Sequence, residues 1–384
     1  MQITDSIKYV GVNDRQIDLF EGQFRVPDGM AYNSYLILDD KIAVMDSVDS
    51  HFGDEWLENI KRALGERKPD FLVVQHMEMD HSANIKRFMD LYADAKIVSS
   101  KVAFSMMKNY FGTDFPERQI IAAEGGEVAL GRHTLHFIAA PNVHWPEVIF
   151  SYESAEKVLF SADAFGKFGA NDGADEDWDC EARRYYFGIV GKFGANVQAV
   201  LKKASALDIK TIAPLHGPVL SENIAAYIKK YDIWSSYAAE SEGTAIFYTS
   251  VYGNTKKAAC ELAEILKAKG DTVSVMDVSR EDIFECVEDA FRYSRAVFAT
   301  TTYNGGVFPA MKDFIGKLTE RNFQNRKIAF IENGSWAPMA AKNMAAMFEP
   351  CKDITICTHK VTVKIAATEE TTKALHALAS ELLG

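Results

Sequence analysis

The stretch His76-Met77-Glu78-Met79-Asp80-His81 follows directly after residues 71–75 (FLVVQ), an apolar run that is typical of a buried strand. It contains four side chains with metal-binding nitrogen or oxygen atoms within six residues. On a loop that leaves a strand, this spacing can direct side chains toward two neighbouring metal ions, whereas one helix face cannot hold all four. We expect a helix to begin near Ser82, so that its positive end points at the carboxylates. The stretch therefore predicts a two-metal site.

Three more candidate ligands stand at the ends of other predicted strands. They are His144 after the strand at 135–140, Asp163 after the strand at 158–162, and His216 after the strand at 209–213. One histidine in such a place is more often structural, but four of the nine histidines of the chain occur in this way, beside three acidic residues. Together they predict a carboxylate-rich metal centre of seven residues: His76, Glu78, Asp80, His81, His144, Asp163 and His216.

The spacing of these residues resembles that of the metallo-β-lactamase fold and, more narrowly, of the flavodiiron proteins. After His81 there are 62 intervening residues to His144, then 18 to Asp163 and 52 to His216. Ordinary hydrolases of this fold carry histidine where this chain has Glu78. A half-site made only of histidines suits zinc, whereas an anionic glutamate oxygen favours iron.

This resemblance implies two iron ions and a role for each ligand. In the implied assignment one iron is bound by His76, Glu78 and His144, the other by Asp80, His81 and His216, and Asp163 bridges the two. The histidine at the place of His81 does not bind iron in every member of the family. Three nearby aromatic residues could support the ligands, with ordinary packing as the alternative for each: Trp145, Tyr185 and Tyr186.

The pattern of the chain changes at Gly243. Before it, short strands are separated by turns, with hairpins predicted at 34–48 and 148–162 and helices at 54–64 and 195–207. After it, strands predicted at 244–248, 272–276, 296–300, 327–331 and 361–365 alternate with helices, which include 255–269 and a last helix at 369–383 with Thr368 as its N-cap. Such alternation is typical of a parallel, doubly wound sheet. We therefore predict two domains, 1–242 and 243–384.

Three polar, glycine-containing loops follow strands of the second domain, at the edge where doubly wound sheets bind ligands. The first loop suits a monoester phosphate, with a simple helix cap as the alternative, and it lacks both the Walker sequence and G-x-G-x-x-G. Tyr303 and Trp336 can flank an isoalloxazine ring, and the arrangement resembles flavodoxin binding FMN. The predicted FMN-binding residues are Thr249, Ser250, Val251, Tyr252, Gly253, Asn254, Thr255, Thr301, Thr302, Tyr303, Asn304, Gly305, Gly306, Asn333, Gly334, Ser335 and Trp336.

With both domains in this order, the resemblance to flavodiiron proteins covers nearly the whole chain. It implies an α/β protein with an N-terminal metallo-β-lactamase-like αββα sandwich, followed by a C-terminal flavodoxin-like doubly wound parallel sheet. The implied activity is an oxidoreductase in which electrons pass from FMN to a diiron centre that reduces O2 to water, NO to N2O, or both. A head-to-tail homodimer or a dimer of dimers is also implied. Since no cysteine-rich rubredoxin module follows the second domain, we expect a separate electron donor, rubredoxin.

Two other functions stay open on the residues alone. One is a binuclear metal hydrolase with an appended flavodoxin domain, which Glu78 argues against. The other is an FMN electron carrier whose first domain is only a scaffold, which the seven ligand-type residues argue against. Because O2 and NO would use the same ligands, both remain candidate substrates.

Composition and charge exclude several classes of protein. The chain has 384 residues, of which 48% are hydrophobic and 25% charged, as in ordinary globular proteins. No apolar run reaches the ~18 residues of a membrane span, and the first residues do not resemble a secretory signal, so we expect a cytoplasmic protein. The net charge of −12 arises before Gly243, where 25 Lys+Arg face 37 Asp+Glu, against 17 of each after it. This surplus disfavours nucleic acids and anionic membranes as partners. The acidic stretch 172–179 is predicted to be a loop.

Overall fold

A computed structural model describes residues 2–172 and 178–384, so that most of the predicted acidic loop, residues 173–177, lies outside the described residues. The chain forms two compact units, Met1–Asp232 (unit 1) and Ile233–Gly384 (unit 2). The boundary at residues 242 and 243 stays a prediction. No helix of the described ranges is both long enough and apolar enough to cross a bilayer.

Unit 1 is built on two sheets of short strands. The strands are β1 (Ile7–Tyr9), β2 (Val12–Asp14), β3 (Leu19–Phe20), β4 (Phe24–Arg25), β5 (Met30–Tyr32), β6 (Tyr35–Ile37), β7 (Ala43–Met45), β8 (Phe71–Val73), β9 (Lys96–Ser99), β10 (Gln119–Ile121), β11 (Glu127–Ala129), β12 (Thr134–Ala139), β13 (Ile149–Glu153), β14 (Val158–Phe160) and β15 (Thr211–Ala213). One sheet has the order β1-β6-β7-β8-β9-β10, and the other has β11 to β15 in chain order. Two small ribbons pair β2 with β5 and β3 with β4.

The helices of unit 1 cover these sheets. They are α1 (Gly53–Leu64), α2 (Met79–Ser82), α3 (Ile85–Leu91), α4 (Lys101–Phe111), α5 (Trp178–Tyr185), α6 (Gly194–Ala204) and α7 (Ile224–Ser235), and a π-helical turn, Tyr186–Val190, continues α5. The last three residues of α7 belong to unit 2. The helices predicted at 54–64 and 195–207 are confirmed as α1 and α6. Both predicted hairpins are confirmed as well, since β6 pairs antiparallel with β7 and β13 with β14.

The two sheets of unit 1 share one apolar core. Side chains alternate across a strand, so Val158 and Phe160 of β14 point into this core together with Ala213 of β15. Their neighbours Leu159 and Ile212 therefore point to the opposite face, toward α6 and α7. This layering makes the αββα sandwich that the sequence predicts.

Unit 2 is a parallel sheet with helices on both faces. Its elements are β16 (Ser241–Tyr248), α8 (Asn254–Ala268), β17 (Val273–Asp277), α9 (Ile283–Arg292), β18 (Tyr293–Tyr303), β19 (Gly306–Val307), α10 (Pro309–Glu320), β20 (Arg326–Asn333), α11 (Ala340–Met347), β21 (Ile354–Ile356), β22 (Val361–Val363) and α12 (Glu369–Leu383). The main strands lie in the order β17-β16-β18-β20-β21, all parallel, with β22 also beside β20. This is the flavodoxin order, so the predicted doubly wound sheet is confirmed.

Apolar side chains on both faces of its central strands explain why this sheet is covered twice. Ile246 lies in a core with residues of α8 and α12, while the ring of the next residue, Phe247, packs against Phe314 of α10 at 4.7 Å between centroids. A strand that is apolar at successive positions cannot leave either face in water. The predicted cap of α12 is confirmed, since the Thr368 side chain accepts a hydrogen bond from the backbone N–H of Thr371.

Candidate metal centre and flavin site

The stretch 76–81 leaves β8 and turns at once into a short helix. Glu78 is the N-cap of α2, and the backbone N–H of His81 donates to the carbonyl of Glu78 at 3.0 Å. The predicted helix start near Ser82 is therefore wrong, because the helix already begins at Met79. One helical turn of four residues is too short for apolar periodicity to reveal it.

The structure brings all seven predicted ligands together at the ends of β8, β12, β14 and β15. Two groups of potential ligand atoms form, and within each group these atoms lie within 4.8 Å of one another. The first group is His76, Glu78, His144 and Asp163, and the second is Asp80, His81 and His216. The four histidines and Asp163 are buried, Asp80 is largely buried and Glu78 is partly exposed, so the groups form two adjoining candidate metal sites inside unit 1.

The Asp163 carboxylate spans the two groups. Its Oδ2 lies 2.9 Å from His144 Nε2 and 3.4 Å from His76 Nε2. Its Oδ1 lies 3.6 Å from His81 Nε2 and 3.9 Å from His216 Nε2. Two oxygens of one carboxylate thus face two different sets of histidines, which is the geometry that a bridging ligand requires.

The chemistry of the donor set fits a pair of metal cations. Asp80 Oδ1 shares no hydrogen bond with the described residues, and Asp163 Oδ1 lacks one too, although both are buried. A buried anionic oxygen without a partner is costly, and a metal ion would satisfy it. With three carboxylates beside four imidazoles, the set is rich in the hard oxygen ligands that favour iron over zinc.

Electrostatics inside the cluster also favour cations. Burial alone would raise the pKa of Asp163, but His76 and His144 hold it well below its usual range. Burial lowers the pKa of His144, yet hydrogen bonds to Asp163 and Glu78 outweigh this effect and raise it to about 9. The carboxylates therefore attract protons to the histidines, and a metal ion binding here would displace those protons.

Two buried carboxylates that the sequence reasoning missed hold the ligand loop in place. Asp46 accepts hydrogen bonds from the backbone N–H and the side-chain amide of Gln75, at 2.7 and 2.9 Å. Burial, partly offset by these bonds, raises the pKa of Asp46 to about 6. Glu147 Oε1 lies 2.8 Å from His76 Nδ1 and accepts from the backbone N–H of Met77, also at 2.8 Å. Glu147 follows the predicted ligand His144 by three residues in the same loop, and this closeness in sequence could have identified it.

Two of the three aromatic residues singled out from the sequence, Trp145 and Tyr185, contact rings of predicted ligands. The Trp145 ring meets that of His76 edge-on at 5.3 Å between centroids, and the Tyr185 ring lies 5.5 Å from that of His216. Tyr186 packs on Tyr231 at 5.1 Å. The Tyr185 hydroxyl is buried and has no hydrogen-bond partner within 2–172 and 178–384.

We expect Glu147→Gln to weaken metal binding about 10- to 100-fold, because carboxylates that orient a metal-binding histidine contribute on this scale. Glu147 fixes the His76 ring so that Nε2 points at Glu78 and Asp163, at 3.3 and 3.4 Å. A chelator competition titration with Fe(II) measures the affinity. Glu127→Gln is the matched control, since Glu127 pairs with His136 at 3.5 Å on the exposed surface of the same unit. Equal affinities of Glu147→Gln and wild type would exclude this role.

A second site lies at the carboxyl edge of the sheet in unit 2. It is a cavity of about 640 Å³ between the loops that follow β16, β18 and β20. The predicted residues that line it are Ser250, Val251, Tyr252, Asn254, Thr255, Thr301, Thr302, Tyr303, Asn304, Gly305, Asn333, Gly334, Ser335 and Trp336. This volume is within the range of cofactor pockets.

Three of the predicted flavin residues do not line this cavity, and three other residues do. Thr249 is fully buried, with its Oγ1 2.6 Å from Thr300 Oγ1. Gly253 and Gly306 also lie outside the lining. Ala337, Met339 and Ile365 line the cavity in addition. Ile365 comes from the segment after β22, which the sequence reasoning did not connect with the flavin.

The start of α8 fits a phosphate group. Its N-cap is Gly253, at φ +85°, and no side chain caps the first N–H groups of the helix. Ser250 Oγ is buried without a hydrogen-bond partner in the described parts of the chain. Thr255 Oγ1, also buried, lies 3.3 Å from Thr301 Oγ1. Free N–H groups at a helix start beside two hydroxyls form an anion-binding site.

Aromatic side chains at the rim of the cavity fit a flat ring system. Tyr252 is 91% exposed and Trp336 is 86% exposed, although both are large and partly apolar. Tyr303, which packs edge-on against Phe308 at 5.5 Å, is half-exposed. Rings held at the mouth of a phosphate-binding cavity can stack on an isoalloxazine, so the whole cavity suits FMN.

Comparisons with known proteins agree with both sites. Residues 30–217 match the profile of the ODP family beta lactamase, and residues 246–375 match the profile of flavodoxin. A nitric oxide reductase of Moorella thermoacetica is 32% identical over 337 residues, which cover 84% of this chain and 83% of that protein. An anaerobic nitric oxide reductase flavorubredoxin of Vibrio vulnificus is 27% identical, covering 88% of this chain and 70% of that protein.

A solved structure is similar over the full length. The flavodiiron protein from Giardia intestinalis matches with a TM-score of 0.92 and 25% sequence identity, covering 100% of this chain and 96% of that chain. The order of the two folds, the cluster of seven potential metal ligands and the relative from Moorella lead to one assignment. The chain is a member of the flavodiiron protein family.

Proposed function

We propose that this protein is an oxidoreductase that uses FMN and two iron ions to reduce a small gas, NO to N2O or O2 to water. One observation carries the proposal: Asp163 joins a Glu78-containing group of ligands to a second group of ligands in unit 1, and unit 2 provides a flavin cavity. The relatives named nitric oxide reductase support NO as a substrate.

When bound, FMN supplies one-electron steps and the iron pair supplies electrons to the gas. The residues of the chain prepare this chemistry. His76, Glu78 and His144 would hold one iron and Asp80, His81 and His216 the other, with Asp163 between them. The three carboxylates would balance most of the charge of two divalent ions. The four histidines are buried, which limits the access of bulk water to their ligand nitrogens.

A direct measurement separates this function from its rivals. Protein purified without air should contain about two irons and one FMN per chain, and it should consume NO or O2 when its flavin is reduced. Rates with each gas, measured under identical conditions, identify the preferred substrate. Zinc in the metal site with phosphodiester or lactam hydrolysis would favour the hydrolase instead. FMN without iron and without gas consumption would favour the electron carrier.

We further propose a head-to-tail dimer, in which the flavin of one copy lies beside the irons of another. Each site has exposed, partly apolar side chains beside it. Met79 lies between two predicted iron ligands, and Leu19 precedes Phe20, whose ring lies 5.4 Å from that of His216. Tyr252 and Trp336 project from the rim of the flavin cavity. A two-fold pairing of two copies would cover these exposed side chains of both sites at once.

We expect two inactive variants to restore activity when mixed, if electrons pass between copies. His144→Ala removes a predicted iron ligand, and a variant with Asn254→Asp and Thr255→Asp places negative charge where the phosphate binds. A mixed dimer would hold one intact flavin beside one intact iron site and should regain up to about half the activity per dimer. Subunit exchange is confirmed beforehand with differently tagged copies. No recovery despite exchange would show that electrons pass within one chain.

We propose a small iron–sulfur carrier of the rubredoxin type as the electron donor, because one of the relatives is named flavorubredoxin. Reduction of the flavin by purified rubredoxin, followed in a stopped-flow spectrometer, tests this donor.

A cytoplasmic location stays a prediction, which fractionation of cells that express the full chain would test.

A further inference from the structure

An apolar cavity lies in unit 1, separate from the metal centre and the flavin site. It occupies about 270 Å³ between the five-stranded sheet and helices α6 and α7. On the sheet side it is lined by Phe150, Leu159 and Ile212, and on the helix side by residues that include Val200 and Ile228. These walls are aliphatic or aromatic, and the polar side chains of the lining, Ser205 and Asp208, come from one end.

The register of the sheet shows where this cavity leads. β14 and β15 are parallel, and Asp163 and His216 follow their final residues, so the metal centre lies at this end of the strands. Phe160 pairs with Ser151 of the antiparallel β13, which places Phe150 at the same end. Leu207 and Ile209, which precede β15, lie at the other end. The cavity therefore runs along the outer face of the sheet toward the metal centre.

Phe165 forms the wall between the cavity and the bridging carboxylate. It lines the cavity, is 2% exposed, and stands two residues after Asp163 in a tight turn, where the Gly166 N–H donates to the Asp163 carbonyl at 3.1 Å. Its ring stacks on Tyr231 at 4.1 Å between centroids. The backbone N–H of Phe165 donates to the Tyr231 hydroxyl. The cavity thus extends to the turn that carries Asp163, where the Phe165 ring lines it.

The opposite side of the cavity adjoins a groove on the surface of the two helices. A groove of about 760 Å³ between α6 and α7 shares Leu201, Ala225 and Ile228 with the cavity. Gln198 of α6 spans this groove, because its amide donates to the Asp232 carboxylate of α7 at 2.8 Å. The apolar cavity therefore lies between a surface groove on one side and the turn that carries Asp163 on the other.

We propose that this cavity binds small uncharged gas molecules and delivers them to the metal centre. The inference rests on the proposed function, since the substrate is then an apolar diatomic gas. Cavities lined by aliphatic and aromatic side chains stay dry and take up apolar atoms such as xenon. On its other side, where the Glu78 side chain is 20% exposed, the metal centre is lined by carboxylates, which favour water and cations. A separate apolar entry would let the gas reach the centre without passing these carboxylates.

Xenon tests the binding site without any turnover. Crystals of the holoprotein pressurised with xenon should show an anomalous peak among Phe150, Val200 and Ile228. Ala204→Phe would fill the cavity, since Ala204 lines it and is 9% exposed, and the peak should then be lost. Ala195→Phe is the matched control on the same helix, because Ala195 is exposed and lines neither the cavity nor the groove. Its xenon peak should be unchanged.

Steady-state rates test delivery in the same variants. Ala204→Phe should raise the KM for the gas several-fold while kcat at saturating gas, iron content and FMN content stay as in wild type, which is the signature of impaired access. Ile228→Phe, at a residue that lines both the cavity and the groove, is a second variant in case Ala204→Phe does not fold. Ala195→Phe should keep the wild-type KM.

The outcomes distinguish this inference from the proposed function. A wild type that reduces gas, combined with an empty cavity under xenon, would overturn the binding site and leave the function intact. Bound xenon with unchanged KM in both filled variants would overturn delivery. A wild type with full iron and FMN that reduces no gas would instead contradict the proposed function, whatever xenon shows.

Discussion

Replacing Asp163 with asparagine is expected to remove at least one iron per chain and to abolish gas reduction. The two carboxylate oxygens face different groups of histidines, at 2.9 Å from His144 on one side and 3.6 Å from His81 on the other. An amide keeps the shape but loses the negative charge, and its nitrogen cannot bind a metal cation. Two divalent ions would then be held close together with one fewer anion between them.

Metal analysis by mass spectrometry and gas consumption rates measure this effect. Asp90→Asn is a matched control in the same unit, since Asp90 is exposed and pairs with Lys86 at 2.6 Å. It should keep two irons and full activity. Circular dichroism shows whether Asp163→Asn is folded. A folded Asp163→Asn protein with two irons and wild-type rates would show that Asp163 does not bridge the metals.

The second large effect concerns the phosphate of FMN. Thr255→Val should weaken FMN binding by ~1.5–3 kcal/mol, the contribution of a hydrogen bond to a charged group. This corresponds to about a 10- to 150-fold rise in Kd. Valine has nearly the shape of threonine, and Thr255 is buried beside the uncapped start of α8, so packing is kept while the hydroxyl is lost.

Flavin affinity is measured by fluorescence quenching on the apoprotein. Riboflavin, which has no phosphate, should bind wild type far more weakly than FMN does, and Thr255→Val should change riboflavin affinity little. Thr319→Val is the control, because Thr319 lies in α10 and its hydroxyl donates to the Gly316 carbonyl, outside the flavin cavity. Wild-type protein that binds the two flavins equally well would contradict the phosphate site.

The order of the elements and the chemistry of both sites were accessible from local sequence signals. Buried strands appear as apolar runs, and a functional residue that directly follows such a run can be placed at a sheet edge. For this reason the sequence predicted a metal site at residues His76 to His81 and a phosphate site in the loop after β16. The cap of α12 at Thr368 was equally local, since one side chain bonds to a backbone group three residues away.

Other features depend on residues that meet only after folding. Asp46 and Glu147 support the ligand loop from 29 and 71 residues away, so no local pattern connects them with Gln75 and His76. Ile365 reaches the flavin cavity because β22 pairs with β20.

The sequence by itself determined the two folds, the ligand types and the flavin loops, because each depends on neighbouring residues and on the period of the side chains. Only the tertiary structure decided that α2 begins at Met79, that each oxygen of Asp163 faces a different group of histidines, and that an apolar cavity ends at Phe165. The first of these concerns a single helical turn, which is too short for apolar periodicity to reveal. The other two are distances and volumes between segments far apart in the chain. They are set by how the sheets and helices pack against each other, and packing is a property of the whole fold rather than of any stretch of sequence.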